Sequence, residues 1–375
     1  MSIATTVPYI RRLRLSPTLS AYIARQFAVW ALSFYFALVG VLFLASTVDL
    51  LDRLATKDAP LGLVLQMSLF KLPFLSQEAM PFSILMASLA CFWRLTRSNE
   101  LVVTRSAGVS VWQFLMPAVG TAFVIGVVAV TALNPLASVL LSRYEHLEAK
   151  YIRNKSSVLS VSSGGLWLRQ ADGDGHHVIH AEHVTQNPMV LHDVTVFRLT
   201  LEDQFTGRID ATRAELRPDH WVLFDSWQSK PNMQRSFLPE LEIETELTPE
   251  KVLESFARPE SISFWALPEF IRVLEEAGFS AVRHKLQLHR LLANPFLLAA
   301  MVLLAATFSL RRQRRGRVGL VILTGVLAGF LLYFLSNFVF ALGLSAKIPV
   351  VLAAWTPAGV SLMLGIAMLL HLEDG

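Results

Sequence analysis

Six apolar runs, each near or beyond the roughly 20 residues that a helix needs to cross a bilayer core, stand in two groups of three at the ends of the sequence, with none between them. That pattern constrains the fold more than any other feature. The spans are expected at Phe27–Val48, Leu61–Trp93 and about Val109–Leu141, then at Leu291–Leu310, Val318–Leu342 and Ile348–Leu370. With 53% hydrophobic and 17% charged residues, the chain is too apolar for an ordinary soluble domain. The second span is longer than needed and carries Lys71, Pro73, Gln77, Glu78 and Pro81, which predicts tilt or a kink with its polar groups facing protein or water. Asn134-Pro135 falls near the far end of the third span, and Asn294-Pro295 in the first turns of the fourth, where a missing N–H matters least.

The middle of the chain changes period. Leu159–Ser162, Gly165–Gln170, His177–Ala181, Val194–Leu201, Arg208–Leu216, Trp221–Phe224 and Leu241–Leu247 alternate as strands between Gly, Asp, Asn and Pro turns. A sandwich, a jelly roll or a curled sheet fits this spacing. Ser263 to Ala277 returns to helical spacing, with Gly278 as its C′ residue. The expected fold class is therefore an α+β integral membrane protein with six transmembrane helices, three plus three, and a β-jelly-roll-like domain inserted between the third and fourth. Its parts are an N-terminal transmembrane half at 1–141, a β-rich domain at 142–262, and a connecting helix with the C-terminal transmembrane half at 263–375.

Six spans put both termini on one side. Arg11, Arg12 and Arg14, then Arg94, Arg97 and Arg105, then Arg311, Arg312, Arg314, Arg315 and Arg317 share that side, which the positive-inside rule makes cytoplasmic. The β-rich domain, with more Asp and Glu than Lys and Arg, is then expected outside the cytoplasm, in a bacterium the periplasm. The first 20 residues lack the apolar core and cleavage site of a signal peptide, so the N-terminus is expected to be retained. Cys91 stands alone, which excludes an intrachain disulfide. No basic run interleaves with aromatics, so nucleic acid is not an expected partner.

Between spans two and three lies a short charged stretch. Ser98 is a candidate N-cap, Glu100 suits the positive end of a helix dipole, and Gly108 suits a left-handed C′ position, which bounds a helix at about 98–108. Ser110 and Gln113 have capping-box spacing and open the next helix almost without a linker. Two rigid elements joined so tightly can pass force, as a docking element does; the alternative is a capped loop that returns the chain to the membrane.

Patterns for nucleotide hydrolysis, acyl transfer and zinc proteolysis are absent from the sequence. The densest metal-ligand candidate is His176–His183, where alternation places His176, His180 and Glu182 on one strand face and His177 and His183 on the other; this favours a solvated strand edge over a metal site. Ionisable residues in or beside spans are the other candidates. Asp49, Asp52, Arg53 and Lys57, at the outer end of span one, read as headgroup contacts or as interfacial anchors. Lys71 and Glu78 share a helix face and read as cavity lining or as a structural ion pair, and Phe330 and Tyr333 share a face of span five.

Taken together, the three-plus-three plan and Ser98–Ser110, with Gly165-Leu-Trp-Leu, His289–Pro295, the arginine-rich loop before span five and Trp355-Thr-Pro357, resemble the LptF/LptG permeases of the lipopolysaccharide export system. Gly165-Leu-Trp-Leu followed by His177–Glu182 resembles the LptG branch more than the LptF branch. The resemblance covers essentially the whole chain. It implies a transport subunit with no catalytic residues, metal or cofactor of its own, and with ATP and Mg held by a separate ATPase. Glu100, with Arg97, Leu101 and Arg105, would form the coupling helix that enters a groove of an LptB-like ATPase dimer. The further implied partners are an LptF-like permease, an LptC-like membrane protein and lipopolysaccharide, in the bacterial inner membrane. Arg53 and Lys57 would meet lipid phosphates, although Asp49 and Asp52 stand beside them and Ser46 occupies a position where a lysine is expected. Asp49, Phe330 and Tyr333 would line the cavity or its gate.

Overall fold

A computed structural model describes residues 17–374 apart from 55–59, 154–157, 163–164, 173–174, 186–189, 201–203, 218–219, 231–233, 246–257, 277–279, 310–317 and 346. Six helical stretches in it are long and apolar enough to cross a membrane. The first half holds α1 (Pro17–Leu54), α2 (Leu61–Arg97), the short α3 (Glu100–Ser106), and α4 (Val111–Val128) running through a π-helical turn (Ala129–Leu133) into α5 (Asn134–Glu148). After the sheet come α6 (Leu267–Glu276), α7 (Val282–Ser309), α8 (Val318–Leu344) and α9 (Val350–Asp374). At 38 and 37 residues, α1 and α2 are about 55 Å long, so both project well beyond a hydrocarbon core of about 30 Å.

The spans pack around α2 and α7. Phe27, Leu85, Phe92, Leu115, Leu298 and Val302 form the centre of this core and are buried, while Val29, Leu32 and Phe36 of α1 stay exposed. Helix α7 starts nine residues before the predicted span, so Asn294-Pro295 lies deep inside it and not in its first turns. Close packing compensates: a Cβ on Gly126 of α4 would sit 2.6 Å from the Cα of Pro295, so the two backbones touch where α7 lacks a hydrogen bond.

The second proline step has a different remedy. Pro135 has no N–H to offer Thr131, and here the helix widens into the π turn. The freed Thr131 carbonyl accepts from Trp265 Nε1 at 3.1 Å, and Ala129 O accepts from Gln77 Nε2 at 2.9 Å. Asn134 completes the junction: its Oδ1 accepts from the Phe264 N–H at 2.8 Å, and its amide reaches Gln77 Oε1 at 3.5 Å. Helix α2, the third span and the chain returning from the sheet therefore meet at one polar node.

All seven predicted strands form, as β1 (Val158–Ser162), β2 (Gly165–Asp172), β3 (Gly175–Thr185), β4 (Val190–Leu199), β5 (Phe205–Arg217), β6 (His220–Ser229) and β7 (Ser236–Glu244). They make one antiparallel sheet in sequential order, which is the curled sheet among the expected alternatives, a meander without the crossovers of a jelly roll. The curl is visible in one side chain. Gln170 of β2 donates to Glu244 O at the end of β7 (3.1 Å) and accepts from Thr245 Oγ1 (2.8 Å), although five strand steps would separate these strands by about 24 Å in a flat sheet. Helix α6 closes the concave face with Leu267, Ile271 and Leu274 against Leu191, Val196, Ile209 and Trp221.

A crease crosses the sheet. Pairing skips Glu182 opposite Asp193 and resumes on the far side, and between β4 and β5 it skips Asp193 opposite Thr212. Asp193 and Asp225 hold left-handed φ of 53° and 51° there. Alternation restarts with opposite parity: Ile179 and Ala181 are buried, then Val184; Ala211 is buried, then Ala214. The histidine expectation is corrected accordingly. His177 is buried, but His183, three alternations later on β3, is exposed together with Glu182 because the crease lies between His177 and His183.

Candidate functional site

Two regions carry the candidate residues. The first is the end of the bundle where α1 begins and α2 gives way to α4. Ser98 is not the N-cap of α3; Asn99 is, in a left-handed conformation with φ 59°, which an Asn side chain tolerates. The α2 backbone runs one residue further than the cap reading allowed, with Ser98 N–H on Arg94 O at 2.9 Å. Ser98 Oγ instead donates to Glu100 Oε1 at 2.8 Å, and Tyr22 Oη of α1 donates to Glu100 Oε2 at 3.0 Å. Both carboxylate oxygens are thus held from within the chain.

The other end of α3 follows the expectation. Gly108 adopts φ 82°, its N–H reaches Arg105 O at 2.9 Å, and Val109 N–H reaches Thr104 O at 3.3 Å, which is a Schellman closure. The Ser110–Gln113 capping box is complete, with contacts of 3.2 and 3.0 Å. Leu101 is buried beneath the turn, while Arg97 stacks on Trp93 at 5.4 Å and Arg105 is exposed in the last turn. Sequence reasoning missed Val102 and Val103. They are 60% and 65% exposed, so α3 presents an apolar ridge between Arg97 and Arg105.

The second region is a cavity of about 450 Å³ among α1, α2, α7, α8 and α9. Its wall is apolar, with Leu38 and Leu42, Phe74 and Phe82, Leu297 and Met301, and the expected pair Phe330 and Tyr333. One part is polar and contains Gln77, Glu78, Asn134, Glu260, Gln287, Arg290 and Asn294. Glu78 accepts from Arg290 Nη2 at 3.4 Å, and the Arg290 guanidinium lies 5.2 Å from the Phe340 ring centre. Lys71, predicted to share the face of Glu78, is elsewhere: its Nζ sits 5.4 Å from the Tyr144 ring centre and does not line the cavity. Arg290 entered the sequence reading only within the His289–Pro295 segment; its charge four residues before an Asn-Pro step was the available signal.

Asp49 does not line this cavity either. It accepts from Arg53 Nε at 3.1 Å, one turn away on an exposed face of α1, so the two candidates form a local pair. Lys57 lies outside the described residues, as do Arg11, Arg12, Arg14, Gly278 and the arginines at 311–317. In the sheet, Glu182, His183 and Asp193 bring ligand atoms within 4.8 Å of one another at the crease, all exposed; the predicted partners His176 and His180 are not in that group.

The sequence matches the family described as lipopolysaccharide export system permease LptF/LptG over residues 21–371, nearly its whole length. The chain belongs to the LptF/LptG family. It is similar to the lipopolysaccharide export system permease protein LptG of Haemophilus influenzae, with 26% identity over 291 residues covering 74% of this chain and 77% of the relative. The LptG of Escherichia coli K12 is 23% identical over 312 residues, covering 81% of this chain and 84% of that protein. Within the LptF/LptG family the chain is LptG-like, as its Gly165-Leu-Trp-Leu segment implied. Its six apolar helices fit a multi-pass inner-membrane permease, the transport subunit that the family description names.

Proposed function

We propose that this LptG-like permease works in an ATP-driven exporter that extracts lipopolysaccharide from the inner membrane and passes it through its sheet domain toward the outer membrane. ATP and Mg act in a separate LptB-like ATPase dimer, which receives α3 in a groove. An LptF-like permease completes the membrane unit, and an LptC-like protein contacts it. Both termini and α3 face the cytoplasm, and the sheet faces the periplasm.

The observation that carries this reading is the closure of α3. A seven-residue helix is fixed to α2 through Ser98, to α4 through the Schellman closure and capping box, and to α1 through Tyr22. A push on its exposed ridge of Val102 and Val103, flanked by Arg97 and Arg105, is delivered to three spans at once. Glu100 and Leu101 hold that lever in place. Phe330 and Tyr333 line the wall that meets acyl chains, and Arg53, with Lys57 beside it in sequence, meets lipid phosphates at the outer end of α1, with Asp49 setting its orientation.

Co-purification of the tagged chain from native membranes tests the proposal. An ATPase, a second six-span protein and bound lipopolysaccharide are expected, with the ATPase lost on Glu100→Lys. Full export and unchanged assembly with Glu100→Lys would overturn it.

A further inference from the structure

The crease in the sheet gathers side chains that a regular strand would keep apart. On β3, Ala181 and Val184 are both buried, so the two residues between them, Glu182 and His183, turn outward together instead of to opposite faces. On β4, Leu191 and Val194 are buried in the same way, and Asp193 is exposed. Pairing of Ala181 with Val194 and of His183 with His192 brackets this point and sets Glu182 directly opposite Asp193. One imidazole nitrogen and two carboxylate oxygens consequently lie within 4.8 Å of one another on the outer face of the sheet.

Electrostatics leave this group incomplete. Like charges directly opposite on neighbouring strands destabilise the pairing. Two other carboxylates of the sheet are neutralised by arginines: Asp210 has Arg208 and Arg235, and Glu215 has Arg213 and Arg217. Among the described residues, Glu182 and Asp193 have no Lys or Arg partner, and no side-chain hydrogen bond ties either of them, or His183, to a neighbour. His192, opposite His183, is engaged elsewhere, since its Nε2 shares a hydrogen bond of 3.1 Å with Thr185 Oγ1.

We propose that Glu182, His183 and Asp193 form a site for a divalent transition cation of the zinc class, which joins β3 to β4 where the ladder between them is interrupted. Donor chemistry sets the class. Any divalent ion between the opposed carboxylates would cancel their repulsion, but an imidazole nitrogen favours zinc over magnesium and calcium, which take oxygen ligands. Zinc bonds to nitrogen and oxygen of about 2.0–2.2 Å put the corners of a tetrahedron roughly 3.4 Å apart. Exposed side chains reach that spacing from 4.8 Å by small rotations about their χ bonds, and water takes the fourth corner. His176 and His180 are outside the group, with His180 stacked on Trp167 at 4.2 Å. The inference concerns the sheet alone and stands independently of the transport reading.

The test is zinc binding to the full untagged chain in lipid nanodiscs after chelator treatment, measured by equilibrium dialysis with metal analysis, with amide exchange of the sheet as a second readout. One equivalent is expected at micromolar zinc, with slower exchange at 181–184 and 191–194. His183→Ala and Asp193→Asn should each weaken binding by at least about tenfold, because disturbing only the hydrogen-bond partner of a ligand already costs about 10–100-fold. Asn tolerates the left-handed backbone at this position, so metal-free exchange of the Asp193→Asn chain should match the wild type. His176→Ala and His180→Ala should leave binding unchanged. Zinc uptake that survives the double change His183→Ala with Asp193→Asn, or that falls equally with His176→Ala, would show adventitious binding among the chain's 10 histidines and overturn the site. Displacement by low-millimolar calcium would show a site of carboxylates alone and overturn the zinc assignment. Binding without slower exchange at the crease would overturn the joining of β3 to β4.

Discussion

Tyr22 and Glu100 stand 78 residues apart and share a hydrogen bond of 3.0 Å that ties the start of α1 to the first turn of α3. The bond means that α1 cannot shift along its axis without either carrying α3 or breaking an interaction to a carboxylate. Tyr22→Phe removes only the hydroxyl. A hydrogen bond to a charged group contributes about 1.5–3 kcal/mol when shielded and less where water competes. Faster amide exchange is expected across residues 100–106, with the fold intact; unchanged exchange in α3 would show that Ser98 alone holds Glu100.

The polar node at the π turn should behave as one unit. Asn134 is 3% exposed and serves both Gln77 and the Phe264 N–H. Asn134→Leu leaves that N–H without its acceptor, at about 1–3 kcal/mol. Gln77→Ala should cost less, because the Ala129 carbonyl keeps the backbone bond of the π turn. In a double-mutant cycle by thermal unfolding in detergent, the two effects should fall short of additive; strict additivity would argue against coupling.

Close packing of α4 on α7 offers a sharper steric test. The Cβ added by Gly126→Ala meets backbone atoms of Pro295 and has no flexible side chain to push aside. Overpacking of this kind costs about 1–3 kcal/mol, so a clear fall in thermal midpoint is expected. Gly120→Ala, where nothing lies within 4 Å of the new methyl, is the matched control and should be neutral or slightly stabilising.

The crease predicts opposite signs for two substitutions at one residue. Asp193 sits at φ 53° and is exposed. Asp193→Gly should keep or slightly raise stability, whereas Asp193→Val, with a branched Cβ in a left-handed conformation, should lower it by about 1–2 kcal/mol. Equal losses for both would point to a role for the carboxylate itself, as in the exposed group it forms with Glu182 and His183, and zinc titration followed by metal analysis would then separate the two explanations.

Local rules made much of this protein legible from its residues. Apolar run length announces a span because the bilayer sets it, and period-2 alternation announces a strand because the pleat sets it, so six helices and seven strands could be read in advance. The caps at Gly108 and Ser110 were equally plain, since each depends on atoms within a few residues. Tertiary structure decided the rest. Ser98 lost the cap to Asn99 because α2 continued through it; Asp49 stayed with Arg53, while Glu78 found Arg290 from 212 residues away. No period encodes such a meeting, for which side chains share a cavity depends on how helices pack, and whether Gln170 reaches Glu244 depends on how far one sheet curls. Spacing along the chain determined the elements; only their packing in space determined which charges face each other.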